Sequence, residues 1–309
     1  MLIKIGTRKS KLAMWQAYYV RDVLKRAGLE SEIIPIETRG DKLLNISIAG
    51  IGSKGVFTAE LEQMLVDGDI DIAVHSAKDL PSSLDNHFEI IAFTEREQVH
   101  DVLISNRPDA DLKQSQDLLI GTSSTRRIAL LKHYYPGIST VPVRGNLQTR
   151  ISKMESGLCD ALMLAYAGVI RMEYGHLIRQ ELNPSEFTTS AGQGSLAVEV
   201  SVALDPDRKE LLKQLLNHPE TDICLRAERA FLFTMEGGCS IPAFVWARQK
   251  ANGLHITGGI VSLDGTKMIR KDVVGVPGGA PEASGHQLAE LILDAGGREI
   301  LLDIKNLLL

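Results

Sequence analysis

The sequence predicts an α/β protein that ends in a smaller α+β unit. Residues 69–83, DIDIAVHSAKDLPSS, read as a buried strand, Ile70 to His75, that stops at a polar loop. An apolar run with β-branched members, acids before it and a Pro after it, fits a strand of a parallel sheet. A strand, a Thr/Ser loop with arginine and a helix start follow one another twice, at the amino terminus and again at Gly121–Arg127. From Ala243 onward short strands alternate with turns, the pattern of an antiparallel meander.

Taken in order, residues 2–5 form a short strand. Gly6-Thr7-Arg8-Lys9-Ser10 then turns into a helix whose apolar face reads as Leu12, Trp15, Tyr19, Val23 and Ala27. A strand follows at 32–38. The segment 39–55 holds Gly50, Gly52, Gly55 and Lys54, without the spacing of a nucleotide-binding P-loop. It reads either as a lid or as a plain loop before a helix at 57–66, on which Phe57 looks like core. Further strands are expected at 88–93, 102–105, 118–122, 141–143 and 160–165. A strand at 197–200 has no neighbour in sequence to pair with and is expected to return to the first domain. His218-Pro219-Glu220 starts a helix, with Pro at its first position and acids in its first turn. Its apolar face is Ile223, Ala227, Ala230, Phe231 and Met235. Two more helices, near 287–295 and 298–308, cover one face of the meander.

The chain of 309 residues is long enough for two or three domains, and its net charge of −5 does not favour nucleic acid as a bulk partner. Anion binding must therefore come from local clusters. No apolar run reaches membrane-spanning length, and MLIKIGTRKS lacks a secretory apolar core. Cys159, Cys224 and Cys239 are spaced for neither a disulfide framework nor a metal site, so the cytoplasm is the expected compartment and no metal is expected.

Ligands of open α/β sheets sit beyond the carboxyl ends of the strands. Ser76, Lys78 and Asp79 fall there, and so do Arg126, Arg127, Arg144, Arg150 and Arg171. Arg pairs carboxylates and phosphates bidentately, so five such groups point to a polyanionic ligand. Some of them have the alternative of surface ion pairs with Asp and Glu. Ser10 and the Thr122–Thr125 hydroxyls stand at helix starts, where they can bind an anion or serve as caps. Arg126 and Arg127 oppose the helix dipole at their end of the helix, which favours an anion there. Cys239 lies on the Gly-rich turn Glu236-Gly237-Gly238-Cys239, where a thiol can be a nucleophile, an attachment point or an incidental small residue.

The segments TRKSKLAMWQ, ETRGD, GSKGVFTAELE, DIAVHSAKDLP, GTSSTRR, VRGNLQTR, AGQGS and AERAFLFTMEGGCSIP resemble, in this order, those of the hydroxymethylbilane synthase (porphobilinogen deaminase) family. They span roughly 4–245. The resemblance implies two α/β domains like the halves of a type II periplasmic-binding-protein fold, with a cleft between them, and a small α+β domain. Domain 1 would comprise 1–95 and 195–215, domain 2 96–194, and domain 3 216–309. It implies a monomeric transferase of tetrapyrrole (haem) biosynthesis. Four porphobilinogen molecules are condensed head to tail on a covalent dipyrromethane cofactor, with loss of ammonia, and the linear tetrapyrrole is released by hydrolysis.

By motif position, Asp79 would be the catalytic carboxylate and Cys239 the thioether anchor of dipyrromethane. Lys78, Ser124, Arg126, Arg127, Arg144 and Arg150 would hold the cofactor's carboxylates, and Arg8, Ser10, Thr122 and Arg171 the substrate's. Lys54 and Phe57 would belong to the lid. Three positions depart from the family pattern. Thr189-Ser190-Ala191 changes the approach to the return strand, His100 stands where Arg is usual and is expected to weaken a peripheral ion pair, and Ala77 replaces a frequent Met. Two rival readings are a non-enzymatic binder of small anions, which leaves Cys239 without a role, and a nucleic-acid binder, against which the net charge speaks.

Overall fold

The computed structural model describes residues 2–38, 58–114, 117–236 and 241–308. The first sheet contains β1 (Leu2–Arg8), β2 (Glu30–Ile36), β3 (Ile72–Ser76), β4 (Phe88–Phe93) and β10 (Leu196–Ser201) in the order β2-β1-β3-β10-β4. The second contains β5 (Asp101–Ile104), β6 (Leu119–Gly121), β7 (Ser139–Val141), β8 (Ala161–Ala165) and β9 (Ile178–Glu181) in the order β7-β6-β8-β5-β9. Each sheet has a parallel trio, β2-β1-β3 or β7-β6-β8, followed by two antiparallel strands. The two sheets therefore share one topology. In each, the fourth strand comes from a distant part of the sequence: β10 enters the first sheet, and β5 opens the segment that builds the second. This is the layout of a type II periplasmic-binding-protein fold. The third sheet is the antiparallel meander β11 (Ala243–Lys250), β12 (Gly253–Val261) and β13 (Met268–Val274).

The predicted parallel environment of β3 holds on one side only. β1 runs parallel to it, but β10 pairs antiparallel on the other side, Leu196 opposite Ser76. The helices are α1 (Lys11–Arg26), α2 (Ala59–Asp67), α3 (Thr125–Tyr134), α4 (Leu147–Glu155), α5 (Tyr166–Arg171), α6 (Pro206–Leu216), α7 (Pro219–Thr234), α8 (Pro281–Ile292) and α9 (Arg298–Leu308). β9 and α6 were not foreseen, and α8 begins earlier than expected.

α1 corrects the sequence reading. Its buried stripe is Ala13, Gln16, Ala17, Val20 and Leu24, rotated from the predicted Leu12, Trp15, Tyr19 and Val23, which are only half-buried. Ala13 and Ala17 let the helix axis approach the sheet, and the larger side chains fill the flanks. Together with Ile3, Ile5, Ile72, Val74 and Val198 the stripe forms one core.

The chain packs as two compact units, 1–97 with 192–225, and 98–191 with 226–309. In the second unit Phe244 and Val261 of the meander share a core with Leu103, Ile120 and Leu130 of the second sheet. Among the described residues no helix is long and apolar enough to cross a membrane, and no group of His, Cys, Asp and Glu is arranged to hold a metal.

Candidate active site

β3 ends at Ser76, and the chain turns at once into the 3-10 turn Ala77–Asp79. The turn leaves the sheet because the Ala77 N–H is taken by the Ser195 carbonyl at 3.0 Å, and the Leu80 N–H closes back on the Ala77 carbonyl. Asp79 is exposed and Lys78 half-buried. Lys78 Nζ lies 3.5 Å from Oε1 of Gln193, a side chain only 1% exposed.

The loop carrying Gln193 forms the floor of the turn. Gly192 has φ +73°, and a β-carbon there would lie 2.8 Å from the Ala77 carbonyl carbon and 2.9 Å from the Lys78 nitrogen. Gly194 has φ +99°, and a β-carbon there would lie 2.5 Å from the Glu97 carbonyl oxygen. Both positions need glycine twice over, for the torsion and for the close approach.

At the end of β1, Arg8 is half-buried and Ser10 caps α1, accepting from the Ala13 N–H at 3.3 Å. The second sheet repeats this at the end of β6. Ser124 caps α3 by accepting from the Arg127 N–H at 3.4 Å, and buried Thr122 Oγ1 accepts from the Ser124 N–H at 3.3 Å. The capping alternative is therefore realised for both serines, while each hydroxyl keeps a hydrogen to donate.

Arg126 and Arg127 are not surface arginines. Each donates an Nη2 hydrogen at 2.7 Å to one oxygen of Asp101, which is 0% exposed. Their Nη1 groups donate to the carbonyls of Thr188 and Met163, both at 2.9 Å. Burial pushes the Arg126 guanidinium down, with Asp101 acting against that. Two guanidiniums share one carboxylate, so these three groups carry a net positive charge in a low-dielectric setting beneath the Ser124 cap, which favours an anion at that helix end.

Arg150 Nε donates to the Gly145 carbonyl at 2.7 Å, Lys153 donates to the Arg144 carbonyl at 3.1 Å, and Arg171 ends α5. Arg144, Arg150 and Arg171 are all half-buried. Lys54, Phe57 and Cys239 lie outside the described residues. A cavity of about 490 Å3, lined by Leu112, Lys113, Tyr134, Tyr135 and Glu186 among others, holds none of the candidate residues.

Sequence reasoning missed Asp101, Gln16 and the pair His75–Glu199. Asp101 had one signal, an acid placed directly before an apolar strand. Gln16 becomes visible only when the buried stripe of α1 is placed correctly. At the departing position, His100 Nε2 lies 3.3 Å from Glu181, and its ring packs on Tyr166 with centroids 4.5 Å apart. The substituted residue thus still faces an acid.

Residues 3–208 match the family model described as porphobilinogen deaminase, dipyromethane cofactor binding domain, and residues 223–294 match porphobilinogen deaminase, C-terminal domain. The porphobilinogen deaminase of Desulfosudis oleivorans is 52% identical over 307 residues, 99% of either chain. That of Cytophaga hutchinsonii is 52% identical over 304 residues, 98% of this chain and 97% of that one. Among solved structures, DctP7, a Bordetella pertussis extracytoplasmic solute receptor binding pyroglutamic acid, is 11% identical over 72% of this chain and 79% of that chain, with a TM-score of 0.44. Two matched models over both parts of the chain and relatives of this identity along its whole length have one meaning: the chain belongs to the porphobilinogen deaminase family.

Proposed function

We propose that this protein is a hydroxymethylbilane synthase, a transferase that condenses four porphobilinogen molecules head to tail on a covalent primer with loss of ammonia, then releases the linear tetrapyrrole by hydrolysis. The observation that carries this reading is the Lys78–Asp79 turn, held at the carboxyl end of β3 by the Gly192–Ser195 loop, in a chain of this family.

As ammonia leaves porphobilinogen, positive charge develops on the pyrrole and its methylene. A carboxylate held at a strand end stabilises such charge and can exchange a proton with the pyrrole N–H or the leaving amine; Asp79 is assigned that role. Lys78 beside it offers an ammonium to an acetate or propionate.

The donor set fits a dipyrromethane group. Each pyrrole carries an acetate and a propionate, and the strand ends supply half-buried basic side chains, Arg8, Lys78, Arg144, Arg150 and Arg171, together with the hydroxyls of Ser10, Thr122 and Ser124. When bound, the cofactor supplies the primer's nucleophilic pyrrole carbon. Cys239 would hold it by a thioether. Lys78, Ser124, Arg144 and Arg150 would take its carboxylates, and Arg8, Ser10, Thr122 and Arg171 those of porphobilinogen. For Arg126 and Arg127 the pairing with Asp101 supports a different manner of acting: a buried positive base below the Ser124 cap. Lys54 and Phe57 are assigned to the lid by motif alone.

We further propose the boundaries 1–95 with 195–215, 96–194 and 216–309 for the three domains, a monomeric state and a cytoplasmic location. The deciding experiment is intact-protein mass spectrometry beside Cys239→Ser. The expected result is a covalent increment of two pyrrole units on the parent and none on the variant. A parent that is unmodified, and gains no pyrrole units when given porphobilinogen, overturns the reading.

A further inference from the structure

Gln16 sits in the wrong place for a structural helix residue. It occupies the buried stripe of α1 between Ala13 and Val20, and is 3% exposed. An amide buried in an apolar stripe costs about 1–3 kcal/mol unless it is hydrogen-bonded. An aliphatic side chain there would pack against Ile72 and Val74 without that cost. The Gln16 amide reaches across to the last residue of β3, Nε2 donating to Ser76 Oγ at 2.7 Å. Ser76 points toward α1 because it alternates in phase with Ile72 and Val74, which share the α1 core.

Ser76 is the last strand residue before the turn. A rotation of about 10° at its ψ would swing the Asp79 backbone by about 1 Å, because the lever arm from residue 76 to 79 is several ångströms. The backbone bond from Ala77 N–H to Ser195 fixes the turn on its β10 side, and the Gln16–Ser76 bond fixes the approach to it on the α1 side.

We infer that Gln16 is a positioning residue for the condensation, acting through Ser76 to set where the Ala77–Asp79 turn presents the Asp79 carboxylate. This inference rests on the reading of Asp79 as the reacting carboxylate. It gives Gln16 no contact with substrate. The consequence falls on kcat rather than on KM, since the carboxylates of the substrate are held elsewhere.

The test uses the full-length, primed protein and follows porphobilinogen consumption in Gln16→Met, Ser76→Ala, the double variant and Asp79→Asn. Gln16→Met and Ser76→Ala each lower kcat about tenfold, with KM within about twofold of the parent and the thermal midpoint unchanged. The double variant is no slower than the slower single variant, because both remove one hydrogen bond. Added to Asp79→Asn, Gln16→Met brings no further loss. If Gln16→Met fails to fold, Ser76→Ala alone decides. A kcat within about twofold of the parent for the folded variants, or effects that multiply in the double variant, overturns the inference while an inactive Asp79→Asn leaves the catalytic reading in place. An Asp79→Asn protein as active as the parent overturns that reading and, with it, the role of Gln16.

Discussion

Nε2 of His75 lies 3.0 Å from Oε2 of Glu199, across the β3–β10 pair, and Glu199 is wholly buried. His75 is in phase with Ala73, on the face of the sheet that packs against Leu61 and Leu65 of α2. The strand that delivers Asp79 is thus anchored by polar pairs on both faces, Gln16–Ser76 on one and His75–Glu199 on the other. His75→Leu leaves a carboxylate buried without its partner and is expected to cost about 3–5 kcal/mol. Glu199→Gln is expected to cost less, about 1–3 kcal/mol, because an imidazole can shed its proton and remain buried as a neutral group. Urea unfolding of the two variants beside the parent checks the order of the two costs. Equal costs would refute the asymmetry.

Asp101 bears both guanidiniums of Arg126 and Arg127. Asp101→Asn keeps the shape but removes the only carboxylate of the triad. We expect a loss of about 3–5 kcal/mol, read as a lower urea midpoint. An unchanged midpoint would mean that the triad contributes little to folding.

Gly192→Ala tests the contact between the crossing loop and the turn. The added β-carbon meets the Ala77 and Lys78 backbone at a left-handed torsion. We expect a stability loss of about 1–3 kcal/mol and a fall in kcat of about tenfold or more, since the turn must move to make room. Thermal melts and steady-state rates measure the two effects separately. A variant with parental rates would show that the turn's position is not critical.

Glu62 on α2 supplies a pH signature. Burial holds its carboxyl above the usual carboxylate range, the Thr58 hydroxyl opposes this, and Glu199 adds to the rise. The folded state therefore keeps a proton that the unfolded chain has already lost. Below the unfolded value of Glu62 its contribution vanishes. Between that value and the raised folded value, stability falls as pH rises. Glu62→Gln should therefore be more stable than the parent near pH 8 and equal to it near pH 4, as measured by unfolding at both pH values. A gain of the same size at both would exclude the carboxyl as its source.

Much of the fold was legible locally. The meander, the strand ending before Ser76, the Ser10 and Ser124 helix starts and the Pro219 start of α7 all rest on short-range chemistry: alternation, β-branched runs, caps and a proline at the first helical position. The apolar face of α7 was also read correctly, with Ala227, Ala230, Phe231 and Met235 buried. The face of α1 was not, because residue size pointed to Trp15 and Tyr19 while the close helix–sheet approach selected Ala13 and Ala17.

Local pattern thus decided which segments become strands and helices, and it placed basic and acidic side chains at the strand ends. Tertiary structure alone decided which of them meet. Asp101 and Arg126 are 25 residues apart, Gln16 and Ser76 are 60 apart, and Lys78 and Gln193 are 115 apart. No periodicity operates over such separations. These pairs exist because the parallel trio carries β1 past β3, and because β10 returns from the far end of the chain to lie against β3. There a buried amide or charge must find a partner, and strand order determines which one it finds.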